Sequence, residues 1–336
     1  MTDTTASAWR LARAMDGFLT TQLLYVAARL GIAGALAGGP RSAGDLARDA
    51  GVAPGPLTRV LRGLAAEEVL EEGADGRFAL APLGTALGDL EGQILARGAL
   101  YYSAAAGLLD AVRDGGVPFE RVHGERFFDH LGRNPADEAA FQASMAARAE
   151  REARDVVAAY DFAGLERLVD VGGGRGVLLS AILRSAPGLR GVLLDRPAAI
   201  PGARERLAAA GLSARADCVE GDFFASVPAG ADAYLLSRVI HDWGDEDAVR
   251  ILATCRAAMP AGARLLLVEA VLPERASGAP EAIRMDLHML VLFGARERTE
   301  AEYAALLAAA GLELRRVVAT ASPAALSVVE AGAPAA

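Results

Sequence analysis

Residues Leu168–Gly176 read Leu-Val-Asp-Val-Gly-Gly-Gly-Arg-Gly, an apolar run that closes on four glycines within five positions. A short apolar segment running into glycine predicts a buried strand that turns sharply into a helix. Glycine lets such a turn take up positive φ and lets the backbone approach a ligand closely. The pattern continues downstream in Val192–Leu194, Cys218–Val219, Tyr234–Leu236, Leu265–Val268, Leu314–Val318 and Leu326–Val329. Helical stretches such as Leu178–Ser185 and Asp245–Met259 lie between these runs. Apolar strands alternating with helices predict a parallel sheet covered on both faces. Only Ala319–Ala325 separates the last two runs, too little for a crossover helix, so that pair is expected to be antiparallel. The expected fold class is therefore α/β, a Rossmann-like, mostly parallel sheet with an antiparallel last strand.

Upstream, the pattern is helical. Phe18, Leu19, Leu23, Val26 and Leu30 recur at helical spacing. Ser42 with Asp45 predicts an N-cap and Gly51 a C-terminal stop. A second stripe, Leu57, Val60, Leu61 and Leu64, leads to a turn at Glu72–Gly76 and the short run Arg77–Leu80. Helix, helix and hairpin make a winged-helix pattern. Its candidate recognition helix, Leu57–Leu70, mixes Arg59 and Arg62 with Glu67 and Glu68, which argues against DNA, and Phe18–Leu30 is more apolar than one small domain needs to bury, which favours dimerisation. The expected division is residues 1–98 as a winged-helix dimerisation domain and 99–336 as a helical connector plus a catalytic domain.

Composition narrows the function. With a net charge of −9, the chain is not built to neutralise phosphates, so no nucleic-acid partner is expected. No apolar run reaches the roughly 18 residues of a membrane span, and the first residues lack the basic-then-apolar order of a signal peptide. A cytoplasmic protein without a membrane partner is expected. Lysine is absent, all 34 basic residues being arginine, which excludes Schiff-base chemistry and a Walker lysine. The two cysteines, Cys218 and Cys255, lack metal-ligand spacing, and no metal is expected.

The ends of successive strands carry polar chemistry. A dinucleotide fingerprint needs glycines at 172, 174 and 177, but position 177 is valine. Asp195 ends the second run, where a carboxylate can accept from ribose hydroxyls. Asp222 and Phe223 follow the third and offer a further acid and an aromatic face for a purine. His241 follows the fourth, at the sheet edge where open α/β folds place their sites, although a lone histidine there serves equally well as a cap or a packing group.

In order, LVDVGGGRG, LLDRP, GDFF, SRVIHDW, LLLVEAVLP and GARERTEAEY resemble the S-adenosylmethionine-dependent O-methyltransferases, specifically the plant caffeate/flavonoid-type group and its bacterial natural-product relatives. The resemblance spans nearly the whole chain. It implies S-adenosylmethionine as cofactor, a homodimer, and a small aromatic substrate methylated on a phenolic hydroxyl. The resemblance implies that Gly172, Gly174, Asp195, Arg196, Asp222, Phe223, Ser237 and Arg238 bind the cofactor, Asp195 at the ribose and Asp222 with Phe223 at the adenine. The resemblance makes His241 the general base, flanked by Glu269 and Glu297. It places Phe141, Met145, Asp242, Met289 and Phe293 around the substrate, and lets the partner's N-terminal segment close the back of the pocket. Two positions depart from the pattern. Arg175 stands where threonine or serine is common, and Ser237 stands where plant members carry lysine. The same fold and cofactor also serve decarboxylation, hydroxylation or cyclisation in some members, which is the alternative reading.

Overall fold

The computed structural model describes residues 3–334. The chain forms two compact units, residues 1–147 and 148–336, with the division falling inside the 25-residue helix Pro135–Ala159.

The N-terminal unit contains the expected winged helix. Helix Ala43–Ala50 starts at Ser42, whose hydroxyl accepts from Asp45 N–H at 3.1 Å, and stops at Gly51 with φ +67°. Helix Pro54–Ala66 begins on proline, whose missing N–H costs nothing in a first turn. It is shorter than Leu57–Leu70 suggested, because Leu70 leaves the helix to start a strand. Three strands, β1 (Arg41–Ser42), β2 (Leu70–Glu72) and β3 (Arg77–Leu80), pair antiparallel in the order β1-β3-β2. Leu46, Leu57, Leu61, Leu64 and Phe78 form the core beneath them. Helix Gly17–Arg29 belongs to this unit, but Phe18 and Leu19 are half exposed.

The C-terminal unit is built on one sheet. Its strands are β4 (Arg167–Val171), β5 (Arg190–Asp195), β6 (Ala216–Glu220), β7 (Ala233–Ser237), β8 (Arg264–Leu272), β9 (Arg298–Thr299), β10 (Glu313–Ala319) and β11 (Leu326–Gly332). The order is β10-β11-β8-β7-β4-β5-β6, with β9 attached to β8. All pairs are parallel except β11, which lies antiparallel between β8 and β10. Alternate residues feed two cores. Val169, Leu194, Leu236 and Leu267 pack on one face under helices Asp245–Ala258 and Glu300–Ala309. Leu168, Leu193, Leu235 and Leu266 pack on the other under helices Val177–Ser185 and Ile200–Ala209. Each such side chain contributes roughly 1.5–3 kcal/mol by leaving water, which holds the strand ends in fixed register.

Two features position the site. The chain leaves β4 for β5 on one side and returns to β7 on the other, so a crevice opens beyond the carboxyl ends of β4 and β7. Strand β8 runs to Leu272, longer than the run Leu265–Val268. Glu269 is therefore inside a strand, one residue past Val268, where pairing with β7 stops.

Candidate active site

The turn after β4 is set by its glycines. Gly172, Gly174 and Gly176 have φ of +71°, +56° and +72°, values that side chains with a Cβ rarely adopt. A Cβ on Gly172 would sit 2.9 Å from Val239 Cγ2 and 3.6 Å from Phe223, so the loops after β4, β6 and β7 converge there. Asp195 ties the turn down. Its Oδ2 accepts from Gly174 N–H at 2.7 Å and its Oδ1 from Arg196 N–H at 2.7 Å. Asp222 accepts from Phe224 N–H, while Phe223 lies edge-on to Trp243. Arg175 and Arg196 are exposed.

Asp170 was not singled out from sequence. It is buried beneath this turn, with one carboxylate oxygen unpartnered. Burial, and then the nearby Asp195, push its pKa up to about 7. The signal was present as an acid inside an apolar strand just ahead of the glycines. A close-approach loop, a carboxylate at the tip of β5 and an unpartnered buried acid fit a polar cationic cofactor that carries a ribose.

Across the crevice stands His241, in a single 3₁₀ turn, Ile240–Asp242. Its Nδ1 lies 3.1 Å from Glu297 Oε1 and 3.9 Å from Glu269 Oε2, and all three side chains are buried. Its Nε2 lies 3.4 Å from Asp242 Oδ1. Glu269 is fixed from below, its Oε1 accepting from Val239 and Ile240 N–H at 3.0 and 2.8 Å. Glu297 arrives by a different route. The short strand β9 pairs with β8 through Val271 and Arg298, which brings the preceding residue alongside Glu269. Its own N–H donates to Asp286 at 2.9 Å.

Arg298, also missed in the sequence, is fully buried. Its guanidinium donates to the carbonyls of Ile240 and Trp243, at 3.1 and 2.8 Å, and to Asp245. The arginine thus grips the His241 turn on both sides.

Burial would depress the His241 pKa, but Glu269 and Glu297 outweigh it and push it up to about 9. Glu269 moves up to about 7 because burial leaves its charge unsolvated, whereas Glu297 is held below the usual carboxylate range against burial by His241 and Arg238. The three groups offer ligand atoms within 4.8 Å of one another. A cation there would have to displace the Arg238 guanidinium from Glu297, which it meets at 3.1 Å.

The remaining sequence candidates fall in both units. Asp242 is partly exposed over His241, and Met289 and Phe293 lie along helix Pro280–Phe293. Phe141 and Met145 belong to the N-terminal unit, where Phe141 packs against Phe127 with ring centres 5.0 Å apart. Ser237 ends β7.

Residues 106–313 match the O-methyltransferase domain, and residues 12–88 match the O-methyltransferase dimerisation domain. The chain belongs to this family. It is an S-adenosylmethionine-dependent O-methyltransferase. Similar proteins include the phenazine O-methyltransferase PhzM of Lysobacter antibioticus, 43% identical over 96% of this chain and 95% of that one. The mitomycin biosynthesis 6-O-methyltransferase of Streptomyces lavendulae is 38% identical over 90% and 88%. Among solved structures, the mitomycin 7-O-methyltransferase MmcR superposes with a TM-score of 0.90 at 36% identity, covering 98% of this methyltransferase and 99% of that chain. Among the described residues, no helix of this methyltransferase is long and apolar enough to cross a membrane.

Proposed function

We propose that this methyltransferase transfers a methyl group to a phenolic hydroxyl of an aromatic natural product, with His241 as general base and Glu297 and Glu269 as its flanking acids. The observation that carries this reading is the imidazole whose Nδ1 is held by a buried carboxylate at 3.1 Å. That bond leaves Nε2 as the ring position that exchanges a proton with an acceptor. A phenol has a pKa of about 10, within about one unit of the raised imidazole, so the proton passes between them at little cost. S-adenosylmethionine, when bound, supplies an electrophilic methyl group on a sulfonium. Gly172, Gly174, Asp195, Asp222 and Phe223 are proposed to hold it at the crevice, and buried Met289 to help exclude water. The similarity to phenazine and mitomycin enzymes supports a flat, fused aromatic acceptor. The intact His241–Glu269–Glu297 set favours methylation over decarboxylation, hydroxylation or cyclisation.

We further propose that residues 1–98 form the dimerisation domain and 99–336 the connector and catalytic domain. The protein is read as a cytoplasmic homodimer without nucleic-acid partners. Trp9, Leu11, Met15, Phe18 and Leu19, all at least half exposed, support an apolar surface that a second copy covers.

The test is methyl transfer to a panel of hydroxylated phenazines, naphthoates and benzoates, followed by product mass. The wild-type rate should climb between pH 7 and about 9 as His241 loses its proton, and level off above. His241→Gln should lose about 10²–10⁴ in rate while S-adenosylhomocysteine still raises its melting temperature. A glutamine variant of undiminished rate would remove His241 from the mechanism.

A further inference from the structure

Arg238 follows the last residue of β7, with its N–H donating to Val268 at 3.1 Å. Its φ of +56° is a left-handed value that a side chain with a Cβ adopts at a cost. That twist directs the guanidinium inward, between two acids. Nη1 donates to Glu297 Oε1 at 3.1 Å, the same oxygen that meets His241 Nδ1. Nη2 donates to Glu152 Oε1 at 2.7 Å. Glu152, on helix Pro135–Ala159, accepts in turn from Arg148 Nε at 2.8 Å. The result is a line of alternating charge, Arg148, Glu152, Arg238, Glu297 and His241, nearly closed to solvent.

Resting on His241 as the base, we propose that Arg238 and Glu152 are positioning residues of methyl transfer. Glu152 holds the Arg238 guanidinium against Glu297, which keeps Glu297 Oε1 on the imidazole and tempers how strongly that carboxylate draws a proton onto the ring. The arrangement serves the reaction, because an imidazolium stabilised by two unopposed buried carboxylates would hold its proton too tightly to act as a base. Burial alone would raise the Glu152 pKa, but Arg238 and then Arg148 bring it down to about 2, so the acid stays charged throughout the working range. The other groups facing the ring are Asp242 on its own turn and Glu269 from β8. Behind them stand Asp286 on the Glu297 backbone and the buried Tyr303 phenol, whose hydroxyl donates to Ala270 C=O. None of these four changes in the variants below.

A line of alternating charge predicts effects of alternating sign. With only four histidines, ring-¹³C-labelled protein gives few imidazole signals to assign, and His241→Gln identifies the one that matters. Arg238→Gln removes a positive charge from the line, and the His241 midpoint should rise by about half to one pH unit. Glu152→Gln preserves shape but frees Arg238 to act on Glu297 alone, so the midpoint should fall by a similar amount. The double variant should return close to wild type. Singles that shift in the same direction, or not at all, overturn the proposal. If Arg238→Gln does not fold, Glu152→Gln decides alone, a fall supporting the proposal and any other result overturning it. The titration is read on full-length protein without acceptor. Its failure is therefore distinct from failure of His241 as base, which the glutamine variant at 241 reports through rate.

Discussion

At the scale of single residues, the site concentrates groups that a stable core would avoid. Asp170 is the clearest case, a carboxyl sealed beneath the glycine turn with an oxygen lacking any partner. Its folded pKa, about 7, lies above its ordinary 3.8. The stability linked to it is therefore complete below the unfolded value and is lost as pH rises through about 7. Asp170→Asn stays neutral throughout, so its stability relative to wild type should improve by about 3 kcal/mol between pH 5 and pH 8. Urea denaturation at the two pH values measures this, and parallel changes in the two proteins would refute it. The sequence displayed this acid among Leu168, Val169 and Val171 without indicating that it would be unpaired. Glu297 was legible only through the family pattern, because its meeting with His241 depends on the pairing of β9 with β8.

At the scale of elements, the single turn Ile240–Asp242 is too short to hold a histidine by itself. It is held by Glu269 from β8 and by Arg298 from β9. Replacing Arg298 with methionine keeps the bulk but leaves two carbonyls and part of Asp245 unanswered, a loss on the order of 3 kcal/mol. A loosened His241 turn should also cost about tenfold or more in rate even in well-folded protein, because a small misplacement of a base is expensive. Melting temperature and turnover together check both effects, and a stable, fully active Arg298→Met enzyme would show that the grip is unnecessary. Local signals served well where the physics is local. Ser42 and Gly51 bound their helix as capping rules require, and Thr299 with Glu302 forms a reciprocal cap on the helix that follows β9. They served less well where a strand ran past a charge, as β8 does at Glu269, since backbone pairing with β11 and β9 carries it on to Leu272.

At the scale of the whole molecule, the half-exposed Phe18 and Leu19 are the feature that a single copy does not explain. Phe18→Asp with Leu19→Asp should shift the protein toward monomer by light scattering. The sheet unit has its own cores and should keep its fold by circular dichroism. A variant that stays dimeric would place the interface elsewhere. What the sequence by itself determined was the layered α/β plan, the antiparallel last strand, the glycine turn and the acids at Asp195 and Asp222, because hydrophobic period, glycine and strand-end position act over a few residues. Only tertiary structure decided that Glu152 and Arg298 belong with His241. Neither residue announces its partner along the chain, because the Coulomb and hydrogen-bond energies that define the site depend on distance in space, which chain position does not encode.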